Sequence, residues 1–254
     1  MKTNTTTKKT LCFTLATVGG VFACLSTQAG VILPNGTPGS GTSAVAASDG
    51  NVYDVGNWEL WAGGTPWLNG SATPESSPVY AFQLPSLGNV GNPFATASLG
   101  LTFYAKDGTP TFNIDLYGLG VSAAAGVLAS DYYSGANDTS AGVNKLEAGL
   151  LTPSTSMTTA DSPNNVFSSD ISSYLNTLYA NGANAGDYVI LRLSASQSGI
   201  TSDTNYHIES NPGNGTPADL PQIDYTLSAV PEPSAGALSG AAGLMAAALL
   251  RRRR

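Results

Sequence analysis

Short segments in which every second residue is apolar are the feature that most constrains the fold of this chain. Such alternation places the apolar side chains on one face of a β-strand, and Gly and Pro between the segments favour turns. The sequence has 29 Gly and 15 Pro, and only 11% of its residues are charged, so we predict an antiparallel sheet. The clearest runs contain Leu99, Leu101 and Phe103; Phe112, Ile114 and Leu116; Val189, Leu191 and Leu193; and Ile223, Tyr225 and Leu227.

Further segments extend this prediction. Residues 31–33 and 79–84 predict two more strands, and the Asp107-Gly108 pair between the first two runs is typical of a hairpin turn. One helix is predicted at residues 170–180, with Ser168 or Ser169 as its cap. The chain is therefore predicted to be all-β, an antiparallel jelly-roll-like β-sandwich with one short helix. The apolar face of the helix contains Ile171, Tyr174, Leu175 and Leu178.

The N-terminus is predicted to be a signal peptide, residues 1–29. Three lysines precede an apolar run at residues 11–25, and small residues lead to Ala29, after which signal peptidase would cleave. Lipidation of Cys24 is the alternative, although Phe22 is bulky for that motif. Both cysteines, Cys12 and Cys24, lie in this segment. The domain that follows, residues 30–229, would therefore have no disulfide and no cysteine metal site.

The C-terminus, residues 230–254, combines three features in a fixed order. Pro231, Glu232 and Pro233 precede sixteen uncharged residues, 235–250, and an arginine cluster follows. The arginines favour the cytoplasmic side of a membrane, and the apolar segment is shorter than the ~20 residues of a usual spanning helix. We therefore predict a single hydrophobic helix that anchors the chain transiently in the inner membrane. The cluster consists of Arg251, Arg252, Arg253 and Arg254.

This arrangement resembles the PEP-CTERM sorting signals of Gram-negative and related bacteria. The resemblance is carried by residues 230–234 and by the four arginines. It implies that an exosortase cleaves near Pro231 to Pro233 and releases the domain to the cell surface or extracellular matrix. An ordinary C-terminal anchor is the alternative.

The charge of the central domain is more acidic than the net charge of −7 suggests. Of the 17 acidic residues only Glu232 lies in the tail, whereas seven of the 10 basic residues lie at the two ends. Lys106, Lys145 and Arg192 remain in the domain. Such a domain repels phosphate backbones, so we expect no nucleic-acid partner.

Segments of the domain are similar to successive blocks of DNRLRE-type domains. Residues 79–84, 97–103, 186–193 and 220–225 carry this resemblance. It implies a secreted β-sandwich like a carbohydrate-binding module. Two segments depart from the family pattern: residues 117–120 replace a tryptophan-containing segment, and residues 206–210 replace a Ser-Arg-Glu type sequence.

We expect no catalytic residues. His207 is the single histidine, no Gly-x-Ser-x-Gly motif is present, and no acidic residue belongs to a recognisable local motif. A noncatalytic surface or matrix protein associated with extracellular polysaccharide is therefore predicted. A secreted glycosidase or lyase that uses two carboxylates, and a protein-binding adhesin or coat subunit, are the alternatives.

Two groups of residues are candidate binding sites. Trp58, Trp61 and Trp67 lie within ten positions and could form a sugar platform, although Trp58 and Trp61 would point to opposite faces of a flat strand. Packing in the core is the alternative. Asp131, Asn137 and Asp138 could supply oxygens to a structural calcium ion, with a plain polar loop as the alternative. No other cofactor is predicted.

Overall fold

A computed structural model of the chain describes residues 29–33, 43–53, 60–64, 74–87, 92–155, 166–200, 203–208 and 221–228. Of these described residues, 52% are in strands and 8% are helical, which confirms the predicted all-β class with one short helix. Residues 1–28 of the predicted signal peptide and the whole C-terminal segment, 230–254, lie outside the described residues. Within the parts that are described, no helix is long and apolar enough to cross a membrane.

Twelve strands and one α-helix make up the described structure. They are β1 (Ala29–Ile32), β2 (Ser43–Ala47), β3 (Val52–Tyr53), β4 (Leu60–Gly64), β5 (Glu75–Gln83), β6 (Phe94–Asp107), β7 (Ile114–Ser122), β8 (Asn144–Leu151), β9 (Val166–Asp170), α1 (Ser172–Ala180), β10 (Tyr188–Ala195), β11 (Thr204–Ile208) and β12 (Gln222–Leu227).

The strands pair in the order β1-β12-β6-β11-β4-β5-β10-β7-β8, with β2 beside β5 and β3, and β9 beside β6. All of these pairings are antiparallel. The long strand β6 joins two parts of this arrangement. Its residues 94–102 pair with β12 and β9, and its residues 103–107 pair with β11.

The core is formed by the alternating apolar residues from which the strands were predicted. All nine apolar residues of the first three runs are buried, and so is Ile223 of the fourth run. Tyr225 and Leu227 are partly buried and pack against the core. On β10 the opposite face is buried as well, at Ile190 and Arg192. The connection between β7 and β8, residues 123–143, which we call the β7–β8 loop, packs near this second face.

The predicted hairpin between the first two runs is wrong. β6 pairs with β9, β11 and β12, whereas β7 lies between β10 and β8. Gly108 adopts φ +62°, so the chain does turn at the Asp-Gly pair. The strand that follows this turn, β7, does not pair with β6. A turn dipeptide determines a local reversal. The partner of each strand depends on which long-range contacts bury its apolar face.

Helix α1 begins later than predicted, because β9 continues to Asp170. Its N-cap residue is Ile171, so the predicted serine cap is wrong. Asp170 Oδ1 instead accepts hydrogen bonds from Ser172 N at 2.9 Å and Ser172 Oγ at 2.6 Å. The predicted apolar face is confirmed, and its Tyr174 ring lies so close to Gly118 that a Cβ there would be 2.3 Å from Tyr174 Cζ.

Candidate functional site

An outward-facing group of side chains lies on three neighbouring strands, β4, β11 and β6. Trp61 on β4 is directly opposite His207 on β11. Leu60 and Ala62, on either side of Trp61, are fully buried. Because successive side chains of a strand point to opposite faces, Trp61 points away from the core, and its side chain is half-buried.

His207 connects the indole to a carboxylate. The rings of Trp61 and His207 meet edge to face, with centroids 6.3 Å apart and an interplanar angle of 82°. His207 Nε2 lies 3.0 Å from Asp107 Oδ2 at the end of β6, and the Asp107 side chain is 42% exposed. We call Trp61, His207 and Asp107 the Trp61 patch. It offers an apolar ring surface beside a carboxylate that can accept hydrogen bonds from hydroxyl groups.

Asn205 fixes the strands beneath this patch. It is fully buried and lies opposite both Gly63 and Asp107. Its Nδ2 donates to the Gly64 carbonyl at 3.0 Å and to Asp203 Oδ1 at 3.0 Å. The bond to Gly64 ties β11 to β4, so the patch is built on paired strands rather than on a free loop.

The structure describes only part of the predicted tryptophan group. Trp58 and Trp67 lie outside the described residues, whereas Trp61 is placed on the outer surface. Sequence reasoning did not join His207 or Asp107 to Trp61. His207 lies between the apolar residues Tyr206 and Ile208, which is a signal for an outward side chain, but nothing local indicates which strand lies beside it.

A second group of polar side chains lies on the outer face of β10, beneath the β7–β8 loop. Arg192 is only 2% exposed, and its Nη2 contacts Asp138 Oδ2 at 2.6 Å. Its Nε donates to Ser194 Oγ at 2.8 Å, and its Nη1 donates to the Asp131 carbonyl at 2.9 Å. The Tyr117 and Tyr133 rings lie 5.0 and 5.3 Å from the guanidinium carbon, within cation–π range.

We call this group the Arg192 cluster: Arg192, Asp138, Ser194, Tyr117 and Tyr133. The burial of Asp138 would raise the pKa of its carboxyl, but hydrogen bonds from Ser140 and Arg192 and the charge of Arg192 outweigh burial and lower it. Asp138 is therefore ionised at neutral pH, and the pair with Arg192 is charged on both sides.

A neighbouring ion pair joins β8 to β7. Lys145 Nζ lies 2.7 Å from Asp115 Oδ2 and also donates to the Ala136 carbonyl of the β7–β8 loop. Asp115 Oδ1 accepts a hydrogen bond from Gly149 N at 2.7 Å. Burial would lower the pKa of Lys145, but its hydrogen bond to Asp115 contributes to raising the pKa above its ordinary value.

Glu75 holds the same loop from the side of β5. Its carboxylate accepts hydrogen bonds from the Tyr132 hydroxyl and from the backbone N–H of Ile200. Burial, and then the contact with Glu75, raise the pKa of Tyr132. Ser77 Oγ also donates to the Tyr133 carbonyl at 2.7 Å. The loop is thus attached to the sheet at several separate points.

The predicted calcium ligands lie in this loop, and their contacts favour the polar-loop interpretation. Asp138 Oδ2 contacts Arg192, and its Oδ1 accepts from Ser140 N at 2.9 Å. Asp131 Oδ2 accepts from Leu128 N at 2.7 Å, while Asn137 offers its backbone carbonyl to the Tyr133 hydroxyl. The Arg192 guanidinium already supplies a positive charge beside Asp138. Among the described residues, no group of three or more His, Cys, Asp or Glu is placed to hold a metal ion.

Sequence reasoning missed the Arg192 cluster, although one signal was present. Arg192 is the only charged residue of a strand whose other residues are largely apolar, Tyr188–Ala195. A charge in such a strand requires a buried partner. The sequence does not show that the partner is Asp138, because the two residues are far apart in the chain.

The fold and these two regions define the class of the protein as an all-β, β-sandwich-like domain. No model of a known protein family matches the chain. No curated protein matches it in sequence either.

Proposed function

We propose that this protein is an exported, noncatalytic component of the cell surface or extracellular matrix that binds polysaccharide through the Trp61 patch. In this proposal the domain is a jelly-roll-like β-sandwich similar to DNRLRE-type domains. Signal peptidase removes residues 1–29, and an exosortase processes the PEP-CTERM-like tail. The observation that carries the binding proposal is the outward Trp61 ring beside His207 and Asp107 on three paired strands.

The geometry of the patch suits a sugar ring. Indole supplies apolar area for the C–H face of a pyranose, and the Asp107 carboxylate can accept hydrogen bonds from its hydroxyl groups. Because Trp61 and His207 belong to paired strands, little conformational entropy is lost when a ligand binds there.

The charge of the domain favours a neutral polysaccharide. Of its three basic side chains, Arg192 is buried against Asp138, and Lys145 is paired with Asp115. Lys106 is exposed, and its Nζ contacts the Pro153 carbonyl at 3.4 Å. A surface with so little available positive charge repels uronic acids and sulfated sugars.

The noncatalytic part of the proposal is supported by the contacts of the buried carboxylates. Asp138, Asp115 and Glu75 each have fixed partners within the protein. A glycosidase needs two carboxyl groups that face a substrate across a cleft. Asp107 faces an imidazole in the Trp61 patch.

A glycan array with the mature protein tests the binding proposal. We expect binding to neutral polysaccharide, and Trp61→Ala should weaken it about tenfold, because one aromatic contact is lost. Leu128→Ala is the matched control, since Leu128 is an exposed apolar residue on the distant β7–β8 loop. Absence of binding to every polysaccharide, including that of the producing organism, would overturn the proposal.

Mass spectrometry of the mature protein tests the sorting proposal. We expect the chain to end near Pro231 to Pro233 in cells that contain an exosortase. A chain that still ends at Arg254 in such cells would contradict processing of the tail.

A further inference from the structure

The two ends of the domain leave the sheet side by side. β1 pairs with β12 in an antiparallel register in which Ala29 is opposite Thr226. The start of β1 is therefore next to the end of β12, and neighbouring strands lie about 4.8 Å apart. Ser228 stays at this end, because its N–H donates to the Pro93 carbonyl at 2.8 Å and its Oγ donates to the Asn92 carbonyl at 2.9 Å.

The Trp61 patch lies at the opposite end of the same strand system. Strand β6 begins at Phe94, which is opposite Leu227 of β12, and it ends at Asp107, which belongs to the patch. A strand rises about 3.3 Å per residue, so these two ends of β6 are about 40 Å apart along the strand. β6 therefore gives the domain an end that carries both termini and an end that carries the patch.

Both terminal segments have the sequence of membrane-embedded segments, and both would leave the domain on the same side of the membrane. Lys2, Lys8 and Lys9 precede the apolar run at the N-terminus, and the arginine cluster follows the apolar run at the C-terminus. Positive flanks remain on the cytoplasmic side, so both segments would place the domain on the outer side. Only six residues, 229–234, separate the last described residue from the C-terminal apolar run. They can span at most ~20 Å.

We propose that the tail-anchored protein stands with the Gly30–Ser228 end of the sheet against the lipid bilayer and presents the Trp61 patch away from it. This inference rests on the proposed function, since it requires the tail to be a membrane anchor. The short connection supports this arrangement, because six residues keep the Ser228 end of the sheet within ~20 Å of the bilayer. The patch would thus face the matrix while the chain is still attached to the membrane.

Energy transfer to the membrane surface tests this orientation. The full chain, with Cys12 and Cys24 replaced by Ala, is isolated from an exporting host that lacks the tail-processing enzyme and is inserted into vesicles of phosphatidylcholine and phosphatidylglycerol. A single donor dye is attached at Ala95→Cys, near the start of β6, or at Thr109→Cys, just beyond its end. Both positions are exposed. The lipid headgroups carry the acceptor dye.

We expect transfer to be several-fold more efficient from position 95 than from position 109. A second exposed pair, Asn92→Cys and Thr111→Cys, repeats the comparison where a variant of the first pair does not fold. Equal transfer from both ends, or stronger transfer from position 109, would overturn the orientation. A full chain that does not enter vesicles would overturn the tail-anchor proposal and the orientation together. Absence of glycan binding with unequal transfer would overturn only the polysaccharide proposal.

Discussion

The Arg192 cluster and the Trp61 patch both place a charged group beside aromatic rings on the outer side of β-strands, but the charged groups differ in their exposure. The β7–β8 loop supplies Asp138 to Arg192, and both side chains are almost fully buried, at 3% and 2% exposure. Trp61, by contrast, is half-buried, and the Asp107 carboxylate of its patch is 42% exposed. In the Arg192 cluster the charged pair is closed off from solvent, whereas the Asp107 carboxylate contacts His207 and is still exposed enough to accept a hydrogen bond from a ligand.

The largest loss of stability is expected when the contact between the β7–β8 loop and Arg192 is broken. Arg192→Met leaves Asp138 buried without its cation, and breaking such a pair costs about 3 to 5 kcal/mol of the free energy of unfolding. Urea denaturation measures this loss. Arg192→Met combined with Asp138→Leu is the control, and it should recover part of the stability because no charge remains unpaired. A loss below about 1 kcal/mol in the single variant would show that the loop is held by its other contacts.

A smaller effect is expected at the Glu75 attachment. Tyr132→Phe removes the hydroxyl that donates to the buried carboxylate, which should lower the free energy of unfolding by about 1 to 3 kcal/mol. Tyr53→Phe is a matched control, since its hydroxyl also donates to a carboxylate, Asp49 Oδ2 at 2.5 Å, in an exposed turn. Equal losses in the two variants, again from urea denaturation, would contradict a special role for the buried contact.

Acid should weaken the attachment of the β7–β8 loop to the sheet. The pKa of Asp138 is lower in the folded protein than its ordinary value near 3.9, so its contribution to stability is complete above that value and is lost as the pH falls through the folded pKa. Asp138→Asn should therefore flatten the acid limb of a plot of unfolding free energy against pH. Asp131, whose pKa is raised by burial, acts in the opposite direction and is unchanged in this comparison.

Asp170→Asn is the control for this experiment. The pKa of Asp170 is also lowered, by hydrogen bonds from Ser172, but this residue is exposed and distant from the loop. Asp170→Asn should also flatten the acid limb, because the folded pKa of Asp170 is lowered too, but it leaves the contact between Asp138 and Arg192 intact. An acid limb that changes with Asp170→Asn and not with Asp138→Asn would show that the attachment of the β7–β8 loop does not depend on the charge of Asp138.

The sequence predicted where strands and the helix occur better than it predicted which strands pair with each other. Leu99, Leu101 and Phe103 alternate with polar or small residues, and this local period correctly identified a buried face of β6. The Asp107-Gly108 turn suggested pairing with the next strand. Pairing depends instead on which distant segments bury their faces together, and the local sequence does not contain that information. The same reason explains why Arg192 could not be matched with Asp138.

The candidate patch was predicted only at Trp61. Three tryptophans within ten positions are a local signal for a sugar platform, whereas the position of Trp61 beside His207 and Asp107 follows from the pairing of β4 with β11 and of β11 with β6. A role of Trp58 and Trp67 in sugar binding stays a prediction. Helix α1 shows the same limit, since its apolar face was correct and its first residue was not: the pairing of β9 with β6 through Asp170 delays the helix.

The smallest effect on stability is expected in the Trp61 patch. The His207 side chain lies on the outer side of β11 and is 13% exposed, so His207→Ala should lower the free energy of unfolding by about 1 kcal/mol, less than Arg192→Met does, while it weakens binding of neutral polysaccharide. Urea denaturation and titration calorimetry on the same preparation separate the two effects. A loss of stability as large as that of Arg192→Met, with binding per folded molecule unchanged, would mean that His207 supports the strands and is not part of a ligand surface. The contrast between the buried Arg192 cluster and the more exposed Trp61 patch would then have to rest on Trp61 and Asp107 alone.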